Sequence, residues 1–328
     1  MDLGKMLIDA GRAALGVPAA TYALSAIGLN LQFGYTGLLN FGHVASMLVG
    51  AYGVAITVDL GGSLWLGVLV GILLSLVLAL LLGVPTLRLR ADYLAIVTIA
   101  AAEILRLLVR SSWANPLTKS VFGIQNFADS FYDLNPYPDG AFGIGSFRFT
   151  DDRFWVMTVA WGLVLLSTFL VWRLTTSPWG RVIKAIREDE DAARSLGKNV
   201  FGYKLQSLMV GGAIGALAGM VLAIDQQNVT PDTYQPLLTF YAFTIVILGG
   251  AGTLWGPIIG SVIFWFLFEF MNAFMTGALD QGWFGSVLNS ADIGPIRFAL
   301  LGAGLMALMI FRPQGIFGSR EEMIIDAG

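Results

Sequence analysis

Between Arg12 and Asp59 the chain carries no Asp, Glu, Lys or Arg. That stretch is roughly twice the ~20 apolar residues that one bilayer crossing requires, so it must cross twice, or cross once and break. The pattern recurs. Another charge-free run separates Asp59 from Arg88, with room for a span over residues 64–84, and further candidate spans cover 93–109, 154–173 and 205–224. The run from Asp232 to Glu269 is again too long for one helix, and the cluster Gly249, Gly250 and Gly252 is its natural break. A last span covers 295–311. In hydrocarbon every backbone amide must be satisfied within its own segment, which selects helices here. The expected fold is therefore all-α: a polytopic membrane protein of about nine to ten transmembrane helices, some of them broken, forming one domain over residues 1–328. Composition agrees, with 56% hydrophobic and 12% charged residues over 328 positions, and 40 glycines that suit close helix contact in lipid.

What is missing narrows the chemistry. There is no cysteine, which excludes disulfides, thiol catalysis and thiolate metal sites, and the single histidine, His43, leaves no imidazole cluster. No metal, cofactor or nucleic-acid partner is expected. The start of the chain, with Lys5 and Arg12, leads into an apolar run longer than a signal-peptide core and without a small-residue cleavage pattern.

Lysine and arginine in short loops set the orientation. The segment 175–204 contains Arg181, Lys184, Arg187, Arg194, Lys198 and Lys204 and should be cytoplasmic. Arg88 and Arg90, then Arg312 and Arg320, fall on the same side, whereas the external loop 111–153 and residues 228–235 are acidic and face outward. Lys5 and Arg12 favour a cytoplasmic start. That requires an even number of crossings, most simply ten with an extra break between residues 28 and 52.

Two interruptions share a pattern: GYTGLLNFG at 34–42 and GGAGTLWGP at 249–257. Each breaks an apolar run and precedes a helical stretch, as do the discontinuous helices of transporters built from two related halves. Gly34 and Gly37 mark the first break; Gly249, Gly250 and Gly252 mark the second.

The cytoplasmic run GRVIKAIREDEDAARSLG (180–197) follows Ser177 and Pro178, which suit a helix start, and closes on Gly197, which suits a helix end. Charges of opposite sign stand four apart at Lys184 and Glu188, Arg187 and Asp191, and Glu190 and Arg194. Val182, Ile183, Ile186, Ala193 and Leu196 form a narrow apolar stripe. The pattern describes either a solvated connecting helix or one that docks into a groove of a soluble partner.

Resemblance favours docking. The 180–197 run, GLNLQFGYTGLLNFGH (28–43), LRADYLAIVT (89–98) with EILR (103–106), LGGAGTLWGP (248–257) and FRPQGIFG (311–318) together resemble LivM-type permeases of branched-chain amino acid ABC importers, nearly end to end and in order. The resemblance implies a transport subunit without enzymatic activity, in the bacterial inner membrane. It would pair with a LivH-like second permease, two LivG/LivF-like ABC ATPases and an extracytoplasmic amino-acid-binding protein. It implies ATPase coupling through Arg181, Arg187, Glu188, Asp189, Arg194 and Gly197. The chain departs from the family at 117–124, LTKSVFGI, where a Gly-rich stretch is usual; the external loop is atypical there.

No nucleotide site is apparent. Gly197-Lys198 is followed by Asn199 and has Ala192 where a phosphate-binding loop needs its first glycine. Gly211, Gly215 and Gly219 read as a close-packing surface rather than a dinucleotide fingerprint, because no strand precedes them. Thr36, Asn40, Phe41 and His43 sit at the first break. They either line the substrate path or bond one helix to another, and a pH-sensing role for His43 is a further alternative. Glu103, Arg106 and Arg110 share a helix face and read as an internal ion pair or interfacial anchor, with substrate contact the sharper alternative; Glu269 and Arg297 are treated alike. Trp65, Trp113, Trp155, Trp172 and Trp179 fall near span ends, as interfacial anchors do. Urea or short amides would suit a permease of the same kind, whereas an autonomous secondary transporter would not need a docking segment.

Overall fold

The computed structural model describes residues 3–89, 91–145, 147–281, 292–312 and 314–318; Arg90, Pro313 and Arg320 lie outside the described residues. Each charge-free run becomes helix. In chain order the helices are α1 (Leu3–Leu15), α2 (Val17–Asn30), α3 (His43–Asp59), α4 (Leu64–Thr86), α5 (Ala91–Arg110), the short α6 (Asn115–Thr118) and α7 (Asp129–Tyr132), and α8 (Asp151–Thr176). They continue as α9 (Pro178–Glu188), α10 (Glu190–Ser195), α11 (Val200–Gln226), α12 (Leu237–Gly249), α13 (Gly256–Asp280) and α14 (Ile293–Phe311). Among the described residues, α4, α8, α11, α13 and α14 are long and apolar enough to cross a membrane alone, and α1 with α2 forms a pair bent by 42°. The all-α expectation omitted four short strands. Between α7 and α8, β2 (Ala141–Ile144) pairs with β3 (Phe147–Thr150), and β1 (Ile124–Gln125) pairs with β4 (Asn228–Val229) beyond α11.

Small residues bring the central helices together. The buried side of α4 includes Gly67, Gly71, Ser75, Ala79 and Gly83, whereas its other side exposes Leu66, Leu69, Leu73, Val77 and Leu81. That division is what a lipid-facing helix needs when no hydrophobic effect separates core from solvent. The three α11 glycines each have a neighbour. A Cβ at Gly211 would stand 2.5 Å from the Gly28 carbonyl, at Gly215 2.7 Å from the His43 ring, and at Gly219 closer still to the Met47 carbonyl. The α11 backbone is therefore pressed against both α2 and α3.

The side on which the chain begins differs from the expectation. Gly11 on α1 packs against the Phe147 ring of the external hairpin, and Arg12 shares a cavity with Arg148 and Arg153. Trp161 donates to the Leu15 carbonyl at 2.8 Å, fixing the α1–α2 bend against α8. Downstream, α2 runs antiparallel to α11: Gly28 lies beside Gly215, and Gln32 donates to the Leu208 carbonyl at 3.1 Å. The start of α2 is thus on the loop side and its end on the side of segment 175–204. Among the described residues, the break after α2 adds no further crossing. α1, with Lys5 and Arg12, packs at the β2–β3 end of the helices, opposite segment 175–204.

A cysteine at Ser195 should react only with reagents that reach the cytoplasm, and cysteines at Ser130 and Lys5 only from outside. The native chain has no cysteine to confound the labelling. Ser195 and Lys5 labelling from one side would contradict this topology.

Candidate functional site

The segment expected to form one docking helix is two. Ser177 caps α9 by accepting from the Gly180 amide at 3.5 Å. Asp189 then adopts an extended conformation, and its Oδ1 accepts from the amides of Asp191 and Ala192, both at 2.9 Å, so it ends one helix and begins the next. Gly197, with φ 74°, closes α10 in the left-handed region that glycine tolerates. Of the expected pairs only Glu190–Arg194 forms, at 2.9 Å, joined by Arg194–Asp191 at 2.9 Å and by Lys204–Glu190. Lys184 instead stands 5.6 Å from the centre of the Tyr35 ring, and Arg187, although exposed, bonds to the Gly34 carbonyl. The apolar stripe turns inward: Ile183, Ile186 and Ala193 are buried, while Leu196 is 78% exposed. The free face consists of Arg181, Glu188, Asp189, Arg194 and Leu196, all exposed.

Arg187 reaches the first helix break. Its Nη1 donates to the Gly34 carbonyl, and its side chain passes Gly37, which is exposed at φ 75°. This carbonyl is free because α2 runs into a π-turn at Leu31–Tyr35 that ends the regular ladder. The same guanidinium borders the second break, since a Cβ at Gly252 would lie 2.8 Å from Arg187 Nη1.

The two breaks are fastened to each other. Asn30 donates from Nδ2 to the Thr253 carbonyl at 2.8 Å, and its Oδ1 accepts from the Gly252 amide at 2.9 Å. A Cβ at Gly34 would come within 2.4 Å of the Gly252 nitrogen, so only glycine permits this approach. The second break is also closed from below. The amides of Ile316 and Phe317 donate to the carbonyls of Leu248 and Gly249, both at 3.0 Å, satisfying the last turn of α12. Gly250, at φ 112°, and Gly315 pack backbone to backbone there, which accounts for the glycines of both motifs.

Thr36, Asn40 and Phe41 at the first break are hydrogen-bonded, whereas both ring nitrogens of the buried His43 lack a hydrogen-bond partner among the described residues. Thr36 Oγ1 donates to the Leu31 carbonyl at 2.9 Å and lies 2.7 Å from Ser207 Oγ of α11. Asn40 donates to Gln32 Oε1 at 2.9 Å, and its Oδ1 accepts from the Gly42 amide at 3.0 Å. The Phe41 amide donates to Thr98 Oγ1 at 3.2 Å, and its ring stacks on Phe243 with centroids 4.5 Å apart. His43 is fully buried against the Ser25 backbone, Gly28 and Gly215. A small cavity lies beside Asn40, Ser46 and Thr98.

Sequence reasoning missed Asn30, Gln32, Ser207 and Thr253. Each is a polar residue at or beside an apolar run, and the cost of burying it was the available signal. The Glu103 face does form ion pairs: Arg106 donates to Glu103 at 2.9 Å and to Asp232 at 2.9 Å, with Arg110 3.6 Å from Asp232. These bonds tie the outer end of α5 to the loop after α11. Arg297 lies 4.0 Å from the centre of the Phe268 ring.

Residues 13–311 match the model of the family described as "Branched-chain amino acid transport system / permease component". The chain belongs to this family. It is similar to the high-affinity branched-chain amino acid transport permease LivM of Salmonella typhimurium, 29% identical over 98% of this chain and 74% of that protein. It is 29% identical to a probable LivM of Methanocaldococcus jannaschii over 73% of this chain and 75% of that one. It is 25% identical to LivH of Escherichia coli over 92% of each. As a family member it is a multi-pass transport subunit.

Proposed function

We propose that this permease translocates branched-chain amino acids across the bacterial inner membrane, as one of two permeases above two separate ABC ATPases and below an extracytoplasmic binding protein. The exposed face of α9 and α10 receives the ATPase, and Arg187 carries its movement to both helix breaks. The hydrogen bond from Arg187 to the Gly34 carbonyl carries this reading, because it joins the docking segment directly to a discontinuous helix. A shift of α9 withdraws the guanidinium from Gly34 and Gly252 together. The loss of that bond leaves a carbonyl unpaired in a protein interior, so the closed break becomes unfavourable and the Asn30 fastening opens. Thr36, Asn40 and Phe41 then exchange their bonds to Ser207, Gln32 and Thr98 for contact with the path, and His43 comes to face it. The permease needs no nucleotide site, metal or cofactor of its own for this work.

The substrate class is tested with the complete transporter in vesicles. Labelled leucine should accumulate with ATP, and excess isoleucine or valine should suppress it whereas urea should not. Accumulation of urea without leucine transport would move the permease to the amide substrates.

A further inference from the structure

Six charged side chains from five elements meet at the outer end of the helices, away from the breaks. Asp9 and Arg12 of α1, Arg148 of β3, Arg153 of α8, Asp225 of α11 and Glu269 of α13 line one cavity of about 470 Å³. The volume falls within the range of about 300–1,000 Å³ typical of small-ligand sites. Glu269 is the first charge after Asp232 in the sequence and stands within an apolar helix, a costly position unless it faces charged partners. Asp225 is partly buried, with Arg153 as its nearest electrostatic counterpart, whereas Arg148 and Arg153 are exposed. Asp9 and Arg12 already face each other at 3.5 Å.

Three guanidinium groups and three carboxylates balance, and that balance selects the ligand. A simple anion or cation would meet as much repulsion as attraction, whereas a molecule carrying both signs a few ångströms apart can satisfy both sets. We propose that this cavity binds a zwitterion, with its anionic group on Arg148 and Arg153 and its ammonium on Asp225 and Glu269. Guanidinium forks match carboxylate and phosphate oxygens equally well. The shared chemistry therefore belongs both to a free α-amino acid and to the phosphoethanolamine headgroup of a lipid. For a lipid, the exposed Leu7 and Leu15 of α1 supply apolar surface beside the cavity.

The test places the complete transporter in nanodiscs. In one arm, discs of mixed phosphatidylglycerol and phosphatidylethanolamine are examined by native mass spectrometry for retained lipid. In the other, discs of phosphatidylglycerol alone receive free leucine while thermal unfolding is followed. Glu269→Gln and Arg148→Gln each remove one sign, and Arg148 lies on an exposed hairpin whose substitution spares the helices. Preferential retention of phosphatidylethanolamine, weakened about tenfold in the variants, identifies a lipid site. A leucine-dependent rise in unfolding temperature that the variants lose identifies an amino-acid site. If Glu269→Gln fails to assemble, Arg148→Gln decides alone. No lipid preference and no leucine response, or responses that the variants leave unchanged, would overturn the proposal.

Discussion

Arg187→Ala should leave the permease inserted and assembled with its partners, yet cut ATP-driven uptake by about tenfold or more. A hydrogen bond from a charged donor contributes about 1.5–3 kcal/mol, and its loss here also leaves the Gly34 carbonyl without its partner. Arg187→Lys should rescue only part of the activity, because a single ammonium cannot both reach Gly34 and fill the space beside Gly252. Basal ATP hydrolysis should persist while its stimulation by loaded binding protein falls, which separates a broken transmission from a failure to assemble. Wild-type uptake by a well-expressed Arg187→Ala variant would remove Arg187 from the coupling route.

Glu188→Lys should abolish uptake and substrate-stimulated ATP hydrolysis without reducing the amount of inserted protein. Glu188 is exposed at the end of α9, so reversing its charge alters the docking face and no spanning helix. The neighbouring Asp189 needs a different probe, because it also caps α10 through the amides of Asp191 and Ala192. Losing such a cap costs about 1 kcal/mol of helix stability. Asp189→Asn keeps an acceptor oxygen and removes only the charge. If Asp189 acts through charge, the asparagine variant should lose coupling; if it acts through the cap, Asp189→Asn should work and Asp189→Lys should not. Normal transport by Glu188→Lys would place the ATPase elsewhere.

Much of this architecture was legible because a bilayer penalises charge and unpaired amides so heavily. Charge-free runs marked α4, α8, α11 and α14 to within a few residues, and the glycine clusters marked both breaks. The coupling segment was harder. The pairs Lys184 and Glu188, Arg187 and Asp191, and Glu190 and Arg194 suit one continuous helix by their four-residue spacing, and the side chain of Asp189 folding back onto two amides splits it. Lys184 and Arg187 abandon their expected partners for Tyr35 and Gly34, which lie about 150 residues away in the chain. Pairwise spacing rules describe an isolated helix and cannot anticipate a partner supplied by tertiary packing. The meeting of the two breaks through Asn30 is of the same kind, as its partners are 222 and 223 residues distant. The packing of α1 against the β2–β3 hairpin was likewise not legible, because the loop charges Lys5 and Arg12 say nothing of a tertiary partner.

The central claim is that this chain is a dependent transport subunit, driven through its coupling segment. It is tested most directly by reconstituting the purified permease alone in vesicles under an imposed proton or sodium gradient, with labelled leucine outside. Neither ATP hydrolysis nor accumulation should occur, and both should appear when the second permease, the ATPases and the binding protein are added. Gradient-driven accumulation of leucine by the lone chain would contradict the account and identify an autonomous secondary transporter.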